Sequence, residues 1–141
     1  MNRLTNCKIV LADDDADDQD LFKQALEQVN KNAELTVFND GQELMQYLLQ
    51  ENTVLPDMVF LDLSMPLKGG LKCLEEIRDH EILKELPVVI LTTSSNQEDI
   101  RRAYANKACL FFNKPDNHTI LISIIKKVLS MDLQPWNPVM F

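Results

Sequence analysis

The chain reads as an α/β domain: a parallel sheet of five strands wrapped on both faces by five helices. Three observations lead there. Apolar runs of four to six residues recur along the chain, as strands buried on both faces do. Between them lie longer stretches whose apolar residues fall at helical spacing. Two of the runs, those ending at Ala12 and Leu61, stop abruptly at the acids Asp13 and Asp62, and in open α/β sheets chemistry gathers just past the carboxyl ends of the strands.

Composition sets the outer limits. A chain of 141 residues suits one domain and one core. The 22 acids against 14 bases leave a net charge of -8, which argues against DNA, RNA or an anionic membrane as the main partner. No apolar run approaches the length of a membrane span. Arg3, a short apolar stretch and then acids do not make a signal peptide, so a cytoplasmic location is expected. Cys7, Cys73 and Cys109 are odd in number and widely spaced; they read as reduced, packed thiols, not as a disulfide frame or a metal set.

In chain order, the first strand is expected over Cys7 to Ala12, ending at Asp13-Asp14-Asp15. Leu21, Phe22, Ala25, Leu26 and Val29 form the stripe of the first helix. Asp17, Asp18 and Asp20 fall in its first turn, where the macrodipole favours acids; Asp15, Asp17 and Asp18 read as solvated cap residues. Asn30-Lys31-Asn32 ends this helix. Leu35 to Phe38 is the second strand, and Asn39-Asp40-Gly41 a turn. Leu44, Met45, Leu48 and Leu49 give the second helix its stripe. Met58 to Leu61 is the third strand. Gly69-Gly70 opens the third helix, with Leu71, Leu74 and Ile77 inward. Val88 to Leu91 is the fourth strand, followed by the polar stretch Thr92 to Asn96. Ile100, Ala103 and Tyr104 mark the fourth helix, whose Arg101, Arg102 and Lys107 read as a solvated face. Ala108 to Phe112 is the fifth strand, ending at Asn113-Lys114-Pro115. Ile120, Leu121, Ile124, Ile125, Val128 and Leu129 line the fifth helix. The expected domain covers residues 6–130; the tail 131–141 has no period, and its Trp136 and Phe141 suit a partner, a second copy or the domain itself equally well.

Right-handed crossovers leave few topologies open. Of the common doubly wound orders, the flavodoxin-like 2-1-3-4-5 fits a five-strand (βα)5 chain. It makes the first and third strands neighbours, so Asp13, Asp14 and Asp62 share one crevice. Carboxylates so close repel unless a cation intervenes. Oxygen-only ligands with open positions suit Mg2+, which keeps waters and likes phosphate oxygens. Thr92 and Lys114 end the fourth and fifth strands on the same rim. A hydroxyl, an ammonium and a divalent cation together neutralise a phosphoryl group. The sequence has no Gly-rich phosphate loop, so the phosphoryl group is expected to be held covalently on a carboxylate.

These marks together resemble the receiver domain of two-component response regulators, over about residues 6 to 130. They are Asp13-Asp14, Asp62, Met65-Pro66 with Gly70 behind, Thr92, and Lys114-Pro115, in order and at the right strand ends. The resemblance implies that Asp62 takes a phosphoryl group from a phosphohistidine of a sensor histidine kinase or phosphotransfer protein. It implies that Asp13 or Asp14, Asp62 and the backbone carbonyl of Ser64 hold Mg2+. Lys114 then bonds a phosphoryl oxygen, Thr92 swings toward it, and the ring of Phe111 turns inward. The Lys114-Pro115 peptide is expected to be cis. The face made by the fourth helix, fifth strand and fifth helix then changes its partners, a homodimer among them, and the phosphoryl group is lost slowly by self-dephosphorylation. Ser64 and Ser94 occupy the two positions that tune its lifetime in the family. The chain departs from the pattern in having Phe111 where Tyr is frequent, and Lys107-Ala108-Cys109-Leu110 in place of a Gly-rich lead-in.

Three functions compete. The first is a stand-alone phospho-acceptor switch that is not an enzyme toward outside substrates and acts through a downstream protein target. The second is a Mg2+-dependent phosphohydrolase with an aspartyl nucleophile; such enzymes use an acid two residues on, and position 64 is Ser. The third is a receiver-like module that is never phosphorylated, against which the intact acid, Thr and Lys set argues. His80 and His118 have no companion at a ligand spacing.

Overall fold

The computed structural model describes residues 7–133. Strands and helices alternate in the order β1 (Lys8–Ala12), α1 (Ala16–Val29), β2 (Glu34–Phe38), α2 (Gly41–Leu48), β3 (Met58–Leu61), α3 (Gly70–Asp79), β4 (Val88–Thr92), α4 (Gln97–Ala105), β5 (Leu110–Asn113) and α5 (His118–Leu129). The sheet is parallel throughout, in the order β2-β1-β3-β4-β5. The flavodoxin-like architecture expected from the sequence is the one observed.

The pleat explains the two cores. Successive strand side chains point to opposite faces. Ile9, Leu11, Met58, Phe60, Val89 and Leu91 therefore meet α1 and α5 on one side. Val10, Ala12, Val59, Leu61, Val88 and Ile90 meet α2, α3 and Ala103 of α4 on the other. Both sets are buried, so the central strands read as unbroken apolar runs.

Side-chain caps fix where four helices begin. Asp15 accepts from the N–H of Asp18, Asp40 from Glu43, Asn96 from Glu98, and Asn117 from Thr119 and Ile120. Such caps satisfy otherwise orphaned first-turn amides. Asn39-Asp40-Gly41 thus starts α2 and is no free turn, and the Glu43 carboxylate reaches back past the cap to accept from Asn39 N at 3.1 Å. The fifth strand begins two residues later than expected. The amide of Ala108 is taken by the Ala103 carbonyl at the end of α4, at 2.9 Å. Before it, Lys107 adopts a φ of 64°, a left-handed conformation that costs a side chain about 1–2 kcal/mol. The lead-in keeps a backbone shape that glycine usually provides.

Three residues assigned to apolar stripes are half-exposed: Leu21 at 45%, Leu49 at 48% and Ile120 at 52%. Leu49 is the C-cap of α2, past the last helical residue. The three cysteines are free and buried, and burial pushes the Cys73 thiol up to about 11, which leaves it inert at neutral pH. No helix among the described residues is long and apolar enough to cross a membrane. Trp136 and Phe141 lie outside the described residues.

Candidate functional site

The site is built by backbone pairing that runs one residue past each strand. Asp13 N donates to the Phe38 carbonyl at 3.0 Å, Asp62 N to Ala12 at 3.0 Å, and Lys114 N to Thr92 at 2.8 Å. Each functional side chain thus leaves a residue that the sheet still holds. The order β1-β3-β4-β5 then sets Asp13, Asp62, Thr92 and Lys114 side by side along the carboxyl rim.

Both oxygens of Asp62 are engaged. Oδ1 accepts from Thr92 Oγ1 at 2.6 Å and from Ser64 N at 3.2 Å. Oδ2 accepts from Lys114 Nζ at 2.8 Å. Asp13 Oδ1 accepts from Asp15 N at 2.9 Å, while its Oδ2 lies 2.8 Å from Lys114 Nζ. Asp13, Asp62 and Thr92 are buried, and Asp14 is exposed.

Burial holds the Asp13 carboxyl above its ordinary value, against the lowering effect of Lys114. For Lys114, burial alone would lower the ammonium, but the hydrogen bonds it donates to Asp13, Asp18 and Asp62 outweigh it and raise the group well above its usual range. Lys114 is therefore fully charged at any physiological pH. One cation still faces several acids. Asp13, Asp14 and Asp62 each bring a carboxylate oxygen within 4.8 Å of the others. This all-oxygen, excess-negative donor set fits a hard divalent cation.

The structure brings together Asp13, Asp14, Asp62, Thr92 and Lys114, as the sequence predicts. The Thr92 hydroxyl donates to Asp62 in this structure. Ser64 turns its N–H to Asp62. Ser94 Oγ donates to Asp99 Oδ2 at 2.8 Å, tying the β4–α4 loop to α4. The Phe111 ring is partly buried against the core under α2, α3 and α4, and its amide donates to the Tyr104 hydroxyl at 3.1 Å.

Two expectations are corrected. Lys114-Pro115 is trans, since no cis peptide occurs among the described residues; the pairing of Lys114 N with Thr92 suffices to aim the side chain inward. Asp18 is no solvated cap acid, because its Oδ2 lies 2.7 Å from Lys114 Nζ. A signal was present. Asp18 stands four residues before Phe22, which is buried, whereas Asp17 stands four before the half-exposed Leu21.

Comparison with known proteins agrees with this geometry. A family model described as the response regulator receiver domain matches residues 9–126. The response regulator Rcp1 of Synechocystis is 32% identical over 130 residues, covering 89% of this chain and 88% of its own. A probable methanogenesis regulatory protein, FilR2, of Methanothrix harundinacea is 36% identical over 110 residues, covering 76% and 71%. Among solved structures, the phosphorylated cyanobacterial phytochrome response regulator RcpA superposes with a TM-score of 0.84 at 34% identity, over 91% of this chain and 98% of that one. The Mn(2+)-bound form of Rcp1 gives 0.80 at 32% identity, over 89% and 93%. With the strand order, the acidic crevice and the matched family model in agreement, this chain belongs to the response regulator receiver domains.

Proposed function

We propose that Asp62 is a phospho-acceptor. A carboxylate oxygen of Asp62 attacks the phosphorus of a phosphohistidine on a sensor histidine kinase or phosphotransfer protein. The new P–O bond forms as the P–N bond breaks, and the imidazole leaves with its electron pair. The observation that carries this reading is the pair of donors on Asp62, Thr92 Oγ1 at 2.6 Å and Lys114 Nζ at 2.8 Å. Donors held this close to the attacking carboxylate stand within reach of the phosphoryl oxygens, where negative charge is carried once the P–O bond forms. RcpA has been crystallised phosphorylated, which supports the same fate here.

Asp13, Asp14, Asp62 and the Ser64 carbonyl are the residues we assign to Mg2+, which supplies positive charge against the phosphoryl oxygens when bound. The Mn(2+) in Rcp1 supports a divalent site. Lys114 takes another phosphoryl oxygen, and Thr92 follows its acceptor. In this cytoplasmic reading the α4-β5-α5 face carries the signal to a downstream protein or a second copy of the chain. Phe111 responds beneath that face, and the Tyr104 bond to its amide links β5 to α4. Coupling of about 1–3 kcal/mol between site and face is sufficient. Slow loss of the phosphoryl group to water resets the switch.

The test is mass spectrometry after incubation with acetyl phosphate or phosphoramidate and Mg2+. One phosphoryl group per chain is expected on the parent and none on Asp62→Asn. Turnover of an outside phosphoester would favour a phosphohydrolase, and an unlabelled parent would leave only an interaction module.

The metal assignment has its own check. Mg2+ at about a hundred times its dissociation constant should stabilise the fold by about 2.7 kcal/mol, or roughly 5–11 °C in Tm. Asp13→Asn should lose that gain. Because the Asp13 carboxyl is raised, its contribution to stability is complete only below its ordinary value of 3.8 and is lost as pH rises through the folded value. At pH 7 its charge is thus a cost, and metal-free Asp13→Asn should melt above the parent. Calorimetry with and without Mg2+ decides; an unchanged Mg2+ response in the variant removes Asp13 from the metal site.

A further inference from the structure

Lys114 Nζ lies 2.8 Å from Asp13 Oδ2, 2.7 Å from Asp18 Oδ2 and 2.8 Å from Asp62 Oδ2. An ammonium offers three donors and no acceptor, so these carboxylates saturate it. Two of them, Asp13 and Asp62, belong to the oxygen set that converges with Asp14. A divalent cation would draw on those oxygens and repel the ammonium beside them. Asp18 stands outside the set. It enters from the first turn of α1, with its side chain 34% exposed against 3% for Asp13 and 5% for Asp62. Its own backbone is fixed, because Asp18 N donates to Asp15 Oδ1 at 3.0 Å.

We propose that Asp18 is a positioning residue for Lys114: it keeps the ammonium on the rim when a divalent cation takes Asp13 and Asp62. The proposal rests on the phospho-acceptor reading, and it names what holds Lys114 ready for the phosphoryl group. A lysine ammonium sits on a flexible four-carbon stem and is strongly hydrated. Displaced from both inner carboxylates and given no other acceptor, it would turn to solvent. Asp18 supplies one charge-assisted hydrogen bond that the cation does not compete for. The exposed Asp17 and Asp20 carry the same charge in the same stretch of α1, so they control for charge alone.

The first measurement is 13C relaxation at the Lys114 ε-carbon of the full chain with and without Mg2+. In the parent and in Asp17→Ala this carbon should stay ordered when Mg2+ saturates the site. In Asp18→Ala it should become mobile on adding Mg2+, with Asp18→Asn, which keeps an acceptor, in between. An ordered Lys114 in Mg2+-saturated Asp18→Ala overturns the proposal. The second measurement is the rate of labelling of Asp62 by acetyl phosphate in a double-mutant cycle. Asp18→Ala should slow labelling by about tenfold where Lys114 is present and by less than about twofold in Lys114→Ala. Equal slowing in both backgrounds makes Asp18 merely structural and overturns the proposal. A parent that takes no label defeats the phospho-acceptor reading and the purpose assigned to Asp18 with it, whereas the relaxation result still reports whether the anchor exists.

Discussion

Lys114→Ala should unfold with about 3–5 kcal/mol less free energy than the parent in metal-free buffer at pH 7. The Lys114 side chain is 13% exposed, and its ammonium lies between two carboxylates of side chains that are almost fully buried. Removing it leaves Asp13 and Asp62 without a counter-charge, and an uncompensated buried charge is among the most costly single changes a fold can meet. The pH dependence follows from the signs. Lys114 is raised above its ordinary 10.5. Its contribution is therefore complete below 10.5 and fades as pH rises through the higher folded value. Parent and variant should converge in strong alkali, and again in acid, where the carboxylates take up protons. Mg2+ should narrow the gap at neutral pH by replacing the lost positive charge. Urea titrations across pH, with and without Mg2+, read all three effects. The variant should still bind Mg2+, yet its α4-β5-α5 contacts should not change on phosphorylation. A variant as stable as the parent would show that the ammonium does not neutralise the crevice.

Gly70→Ala should be the second severe change. A Cβ at this position would lie 2.2 Å from the Asp62 carbonyl oxygen, 2.8 Å from Leu63 Cα and 3.0 Å from the Asp62 carbonyl carbon. Every atom in the way is backbone, so no side chain can turn aside. Gly70 N also donates to the Leu63 carbonyl at 3.0 Å, which presses the start of α3 onto the chain just after the acceptor. Overpacking of this kind costs about 1–3 kcal/mol. The functional loss should be larger. Relief of the clash must move Asp62 off its bonds to Thr92 and Lys114, and displacement by about 1 Å at a reacting group can cost roughly a hundredfold in rate. Gly69→Ala is the control, since its Cβ would meet only the Leu63 carbonyl oxygen, at 3.3 Å. Labelling rates and melting curves of the two variants should separate clearly; if both behave alike, close packing at Gly70 does not position Asp62.

What could be read from the sequence follows from which forces act locally. Met58 to Leu61 is legible at its observed bounds because unbroken apolar residues between Asp57 and Asp62 leave no other frame. The meeting of Asp13, Asp62, Thr92 and Lys114 was also legible, since strand order and crossover handedness fix which strand ends are neighbours. Helical spacing was less informative at the margins. It names a stripe, but it does not say that Leu21 and Ile120 sit at the stripe's wet edge, or that α2 stops one residue before Leu49. Asp18 does not stand out in the sequence because an acid in a first helical turn has a sufficient local explanation in the macrodipole. Its partner lies 96 positions away along the chain, a contact made as α1 packs beside α5. The Lys114-Pro115 peptide is trans, and the isomer at a proline is not written in the local sequence, since both are accessible there.

The outer flank of the sheet carries one further implication. Strands with an open flank tend to recruit foreign chains. Here the phenol of Tyr104 already occupies the Phe111 amide at 3.1 Å. A newcomer seeking to lengthen the sheet at that point would first have to unfasten this clasp. At this position the sheet is closed to backbone pairing and offers side chains only.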